Sequence, residues 1–124
     1  MNFETPTVTL LSLALDATAQ RQQAIASNIA NANTPGYRPL TVSFGTQLDM
    51  ARRQLAAGGS VTAAALVDVR PTIVPLGGQA GANSVALDME VAQLSDTVLR
   101  HQILLKALNR HFSIMSTAIS EGKR

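Results

Sequence analysis

The chain has 124 residues, 46% of them apolar but only 3% aromatic, and with much of the apolar share in alanine its core is expected to be thin, so it suits one small domain or two helical arms around an insert. Cysteine is absent, which removes disulfides, thiol nucleophiles and thiolate metal sites. The net charge of +2 is scattered, with only Arg52-Arg53 and Lys123-Arg124 adjacent among the basic residues, and this is not the basic stripe with stacking aromatics that nucleic-acid binding uses.

From about Thr7 to Ala32 the pattern is helical. Val8, Leu11, Leu15, Thr18, Gln22, Ile25, Ile29 and Ala32 fall at alternating steps of three and four, the seam of a coiled coil. Thr5 or Thr7 suits the cap and Pro6 an early helical position. Thr18 and Gln22 make the seam polar, either as a locally wet stretch or as residues that set register. The apolar run Val8 to Leu15 is short and the first positive charge is Arg21, so no cleaved secretory signal and no membrane span is expected.

The segment Asn28-Ile29-Ala30-Asn31-Ala32-Asn33-Thr34-Pro35-Gly36-Tyr37 then stops the helix. Thr34 precedes a proline and is pushed out of the helical region. Pro35 presets φ at the second position of a β-turn, and Gly36 supplies the positive φ that a type II turn needs next. Asn31 and Asn33 suit local bonds or helix-end carbonyls. Tyr37, the only tyrosine, either packs the elbow onto the first helix or stands out as an anchor for a neighbour.

Residues 38 to 45 are expected to be extended. Phe44, Leu48, Ala51 and Leu55 predict a short helix over 46–56, ended by Gly58-Gly59. Residues 60–82 are rich in Gly, Ala and Pro and predict a flexible insert with one short hairpin at most; Val67, Val69 and Ile73-Val74 carry the strand character, while Pro71 and Pro75 confine a strand there to an edge.

The second long helix is predicted from about Leu87 to Ser120, with Asp88 as N-cap and Glu90 at the positive end of the helix dipole. Val91, Leu94, Val98, His101, Leu105, Leu108, Phe112, Met115 and Ile119 form its expected seam. Leu99, Ile103, Leu104, Ala107 and Ile114 lie outside that seam, and one partner helix does not cover both stripes. The arms are therefore expected to be loose alone and to order fully against other subunits. The fold class that follows is mainly α: two long terminal helices in a coiled-coil-like arm, with a short helix and a flexible loop or small β-hairpin between them. The division is 1–37, helix and elbow; 38–86, insert; and 87–124, a helix forming one structural domain with 1–37.

Catalytic chemistry finds little support. His101 and His111, the only histidines, point about 80° apart on one helix and lie about 15 Å apart, too far to share a metal. There is no Gly-x-Ser-x-Gly elbow, and the Gly-Gly pairs lack the phosphate-loop lysine and the dinucleotide spacing. No catalytic, cofactor-binding or metal site is expected, and no small-molecule substrate.

Three segments resemble a known family. Gln20 to Arg38, containing Ser27-Asn28-Ile29-Ala30-Asn31-Ala32-Asn33-Thr34-Pro35-Gly36-Tyr37, is similar to the signature of flagellar rod and hook proteins. Asn83 to Glu90 resembles an Asn-x-Val-Asp-Met-Asp-x-Glu pattern opening the last helix of the proximal-rod B family (FlgB), with Ala86 in place of its acid and Leu87 in place of its methionine. Leu99-Arg100-His101-Gln102 and Phe112 to Gly122, ending Thr117-Ala118-Ile119-Ser120-Glu121-Gly122, resemble the same family, with His101 where a tyrosine is expected. The related FlgC family shares the elbow, but its Ser-x-Ser-Tyr-Gln-Ala-Asn type run is absent here.

The resemblance implies a structural subunit of the proximal rod, exported by the flagellar type III apparatus without a cleaved signal. It implies terminal helices packed as an inner layer that encloses the export channel and transmits torque. The partners it implies are further copies, the rod proteins FlgC, FlgF and FlgG, the adaptor FliE, the MS-ring protein FliF and the export apparatus. Beside it stand a FlgC-like subunit and a small helical export chaperone or regulator. The mildly basic composition counts against the chaperone. A membrane-surface peptide would need a basic polar face, and the first helix offers only Arg21.

Overall fold

The computed structural model describes residues 6–60, 69–76 and 85–122. Chain order is α1 (Pro6–Ala30), β1 (Leu40–Ser43), α2 (Gly45–Ala56), β2 (Thr72–Pro75) and α3 (Leu87–Gly122). The mainly α class holds: two long terminal helices flank a short helix and a small antiparallel β-pair. The expectations on Thr5, on Val67, on the flexible insert at 61–68 and 77–82, and on Asn83-Ser84 fall outside the described residues.

Helix α1 is the centre of the molecule. It packs along α3 on one side and against β1 and β2 on another. Alanines at 14, 17 and 24 let neighbours approach closely, and Ala24 and Ile25 are buried. A second small cluster joins Ala51 of α2 and Val69 to Leu13 of α1 and Phe44. Helix α2 ends as its Gly-Gly pair predicts. Gly58 takes φ +85°, its N–H donates to the Leu55 carbonyl at 3.1 Å, and the Gly59 N–H reaches back to the Gln54 carbonyl at 2.9 Å. This pair of reversed bonds satisfies two orphan carbonyls.

The strand within the Pro-rich insert has its partner outside that insert. β2 pairs antiparallel with β1, in the register Leu40↔Pro75, Thr41↔Val74, Val42↔Ile73 and Ser43↔Thr72. In a two-stranded sheet both strands are edges, so Pro75 is tolerated. The Leu76 N–H donates to the Pro39 carbonyl at 2.8 Å, which makes Leu40↔Pro75 a non-hydrogen-bonded pair. The backbone N–H and C=O of Leu40 therefore point away from β2, and both are taken by a side chain of α1.

Two contacts set the α1–α3 register. Asn28 meets Glu90, and Thr18 meets His101. Ten residues along α1 thus match eleven backwards along α3, an antiparallel pairing. Helix α1 has 25 residues and α3 has 36. At 1.5 Å per residue α3 is about 16 Å longer. Continuing the register places Pro6 opposite residue 113 or so, and the last turns of α3 run past the described start of α1.

Candidate functional site

The elbow is built on one amide. Asn28 is 2% exposed, and all four hydrogen-bonding positions of its side chain are filled. Its Oδ1 accepts from the Tyr37 hydroxyl at 2.8 Å and from the Leu40 N–H at 2.8 Å. Its Nδ2 donates to the Leu40 carbonyl at 3.0 Å and to Glu90 Oε2 at 3.3 Å. Toward Leu40 the amide acts as a strand partner would, offering one donor and one acceptor to the free edge of β1. One side chain thus joins α1, the elbow, the sheet and the start of α3.

The remaining elbow residues hold the chain that returns to Asn28. Asn31 donates from both its backbone N–H (3.0 Å) and its Nδ2 (2.9 Å) to the Ser27 carbonyl, and its Oδ1 accepts from the Thr34 hydroxyl at 3.2 Å. The Tyr37 N–H closes a four-residue turn onto the Thr34 carbonyl at 3.2 Å, with Gly36 at φ +75°. That is the type II geometry in which the third residue needs a positive φ. Pro35 and Gly36 are exposed, and Asn33, also exposed, lies in the turn that follows α1. Tyr37 lies back on α1, half-buried, its hydroxyl 3.1 Å from Ser27 Oγ. Its single proton goes to Asn28, so Ser27 is the donor in that contact.

The α1 residues Val8, Leu11, Leu15 and Ile29 are half-buried and Ile25 is buried. On α3 the expected seam needs correcting. Leu94, Leu108, Met115 and Ile119 are half-buried, but Val91, Val98, Leu105 and Phe112 are exposed. The residues turned inward instead are Glu90, Thr97, Leu104 and His111, each one position earlier. Both rows keep heptad spacing, so periodicity alone does not choose between them. The contact of Glu90 with Asn28 favours the observed rotation, while His101, which belongs to both seams, meets Thr18 at 2.7 Å. The Thr18 hydroxyl already donates to the Leu15 carbonyl at 2.9 Å, so His101 Nδ1 carries the proton of the shared bond. Asp88 is also displaced from its expected place. The helix begins at Leu87, so Asp88 lies within its first turn rather than before it, and its Oδ1 accepts from the Met89 N–H at 3.0 Å. A carboxylate there and at Glu90 still faces the positive end of the dipole.

This rotation leaves α3 open on two sides. Val91, Val98, Leu105 and Phe112 form a row at steps of seven on one flank, and Leu99 (58% exposed) and Ile103 (63%) lie on the far side. Between α1, β1 and α3 there is a groove of about 510 Å³, lined by Ala14, Thr18 and Arg21, by Val42 and Phe44, and by Thr97, Ile103 and Leu104 among others. Among the described residues no three His, Asp or Glu side chains gather as metal ligands, and no helix is long and apolar enough to cross a membrane.

Comparison with known proteins agrees with these features. Residues 11–38, the second half of α1 and the elbow included, match the family described as flagella basal body rod protein. The chain is 30% identical over 123 residues to the flagellar basal body rod protein FlgB of Escherichia coli (strain K12), covering 88% of this chain and 89% of that protein. It is 31% identical over 131 residues to FlgB of Bacillus subtilis (strain 168), covering 99% and 100%. A third similar protein, FlgB of Cereibacter sphaeroides, is 33% identical over 109 residues, covering 80% and 82%.

Proposed function

The chain belongs to the FlgB family of flagellar basal-body rod proteins, and on that premise we propose that it is a proximal-rod subunit assembling through its terminal helices, with a structural rather than a catalytic role. The observation that carries the reading is the asymmetry of α3: one face rests on α1, while nine large apolar side chains between Leu87 and Ile114 remain exposed. Apolar surface spread over several sides of a long helix is stabilised by neighbours on those sides. Contacts between unlike faces do not close on themselves, and such contacts build helical tubes.

In this reading residues 1–37 and 87–124 act as one unit, and 38–86 is an insert braced by the Asn28 amide. The elbow of Asn28, Asn31, Asn33, Thr34, Pro35, Gly36 and Tyr37 sets the direction in which the insert leaves α1. Asp88 and Glu90 stabilise the start of α3. The exposed α3 rows contact further copies, the rod proteins FlgC, FlgF and FlgG, and at the base FliE and FliF. The subunit leaves through the flagellar export apparatus without a cleaved signal, and the assembled helices line the channel and transmit torque.

The test replaces the native copy with a tagged chain and isolates basal bodies. The wild-type chain is expected in the rod fraction. Leu99→Ser and Phe112→Ser, which change exposed side chains, should leave the free chain folded and remove it from that fraction. A chain that stays folded in the cytosol and never enters basal bodies would instead support the small helical chaperone.

A further inference from the structure

One stripe of α3 is complementary to itself. Arg100, Leu104, Ala107, His111, Ile114, Ala118 and Glu121 follow one another at alternating steps of four and three, so they lie along one side of the helix. The stripe begins on the wall of the groove, which Arg100 and Leu104 line. It ends beyond the described start of α1, where Ile114, Ala118 and Glu121 border a shallow depression. Ile114 is 58% exposed, and Ala107, Ala118 and Glu121 are exposed as well.

Laid antiparallel on a second copy so that paired residue numbers sum to about 221, the stripe matches throughout. Arg100 faces Glu121, Leu104 faces Ala118, Ala107 faces Ile114, and His111 lies at the two-fold axis. Each large aliphatic side chain meets an alanine, the half-buried His111 meets its own copy, and each end joins a cation to a carboxylate. Arg21, on the α1 wall of the same groove, adds a second cation near the one end where the partner's Glu121 arrives. Among the described residues Arg21 has no ion pair, and Arg100 uses its Nε on Asp96 at 2.8 Å, leaving its terminal nitrogens for another acid. The partner's helix C-terminus, the negative end of its dipole, arrives between the same two arginines. A parallel arrangement places Glu121 at the apolar end of the groove, beside Ala14 and Leu104.

We infer that the free chain forms a two-fold antiparallel dimer in which the end of each α3 lies in the α1–β1–α3 groove of its partner. The interface is isologous and closed, so it stops at two copies. It therefore goes beyond the rod contacts proposed above and competes with them: a polar tube needs its subunits to point the same way, and this pair points opposite ways. The dimer would keep one open face of α3 covered before incorporation.

The test uses the purified full-length chain, which has no cysteine of its own. Sedimentation should give twice 13.1 kDa at tens of micromolar or so. Arg110→Cys, next to the two-fold axis, should crosslink to itself on oxidation, while Asn109→Cys, turned to the other flank, should not. Glu121→Arg should raise the dimer dissociation constant about tenfold or more, and Arg100→Glu combined with Glu121→Arg should recover part of that loss, Arg21 remaining as a cation. A monomer at every concentration, equal crosslinking at 109 and 110, or a double variant no tighter than Glu121→Arg alone would each overturn the inference. The readouts come from the free chain and do not depend on whether it enters a rod.

Discussion

Helices α1 and α3 come from one chain and pack on each other, yet they solve opposite problems. Of the large apolar side chains described on α1 only Leu10 is counted as exposed, whereas α3 leaves nine exposed. Helix α1 lies between α3 and the β-pair, and two of its polar side chains that meet other elements are satisfied within the chain: Thr18 by His101, Asn28 by four bonds. Among the described elements helix α3 packs on one neighbour, α1, and runs past its described start. The lesson is that this fold is finished around α1 and unfinished around α3, and a rod subunit needs both conditions, a defined shape to present and surface left to share.

Changes that remove what encloses α1 should act most strongly on the free chain. Asn28→Ala leaves the Leu40 backbone groups without their partner in a buried place, and urea unfolding should show a loss of about 2–3 kcal/mol. A change under about 0.5 kcal/mol would mean that the amide does not organise the elbow. Next comes Gly36→Val. A Cβ at Gly36 meets nothing within 4 Å, so the expected cost of about 2 kcal/mol is one of backbone conformation alone. Gly36→Asn should then cost less than half as much, because asparagine accepts a left-handed φ, and motility should fall in the same order. Equal stability and normal motility for Val and Asn would remove the elbow from the account.

Thr18→Val is smaller. It keeps the shape and removes the acceptor of the His101 proton, for an expected loss of about 1 kcal/mol. The smallest effect on the free chain belongs to the open helix. Leu99→Ser should stay within about 0.5 kcal/mol in unfolding and still lower incorporation into basal bodies. If it destabilised the free chain as much as Asn28→Ala does, α3 would not be an open surface.

The sequence carried the elements well because its punctuation is strong. Pro35-Gly36 marks the turn, Gly58-Gly59 the end of α2, and uninterrupted periodicity the two long helices. What it did not carry was which α3 row turns inward. The rows 91/98/105/112 and 90/97/104/111 have the same spacing, and the more apolar one was the natural choice; the hydrogen bond of Glu90 to Asn28 and the burial of Thr97 go with the other. The partner of β2 was hidden for a similar reason, since a 28-residue separation between β1 and β2 leaves no tight-turn signature. The elbow motif was legible as a turn, but the central role of Asn28 depends on Leu40, Tyr37 and Glu90 meeting in space. An asparagine beside the last seam residues of a helix, shortly before a turn, is the signal that could have suggested it.

The most direct measurement is amide hydrogen exchange on the dilute free chain and on assembled rods. In the free chain the amides of α1 from Thr18 onward and of the elbow should be protected, and those of α3 from Ser113 to Gly122 should exchange rapidly; assembly should slow the second set by orders of magnitude and the first only slightly. Equal protection of both sets in the free chain, unchanged on assembly, would contradict the claim that α3 is completed by its neighbours.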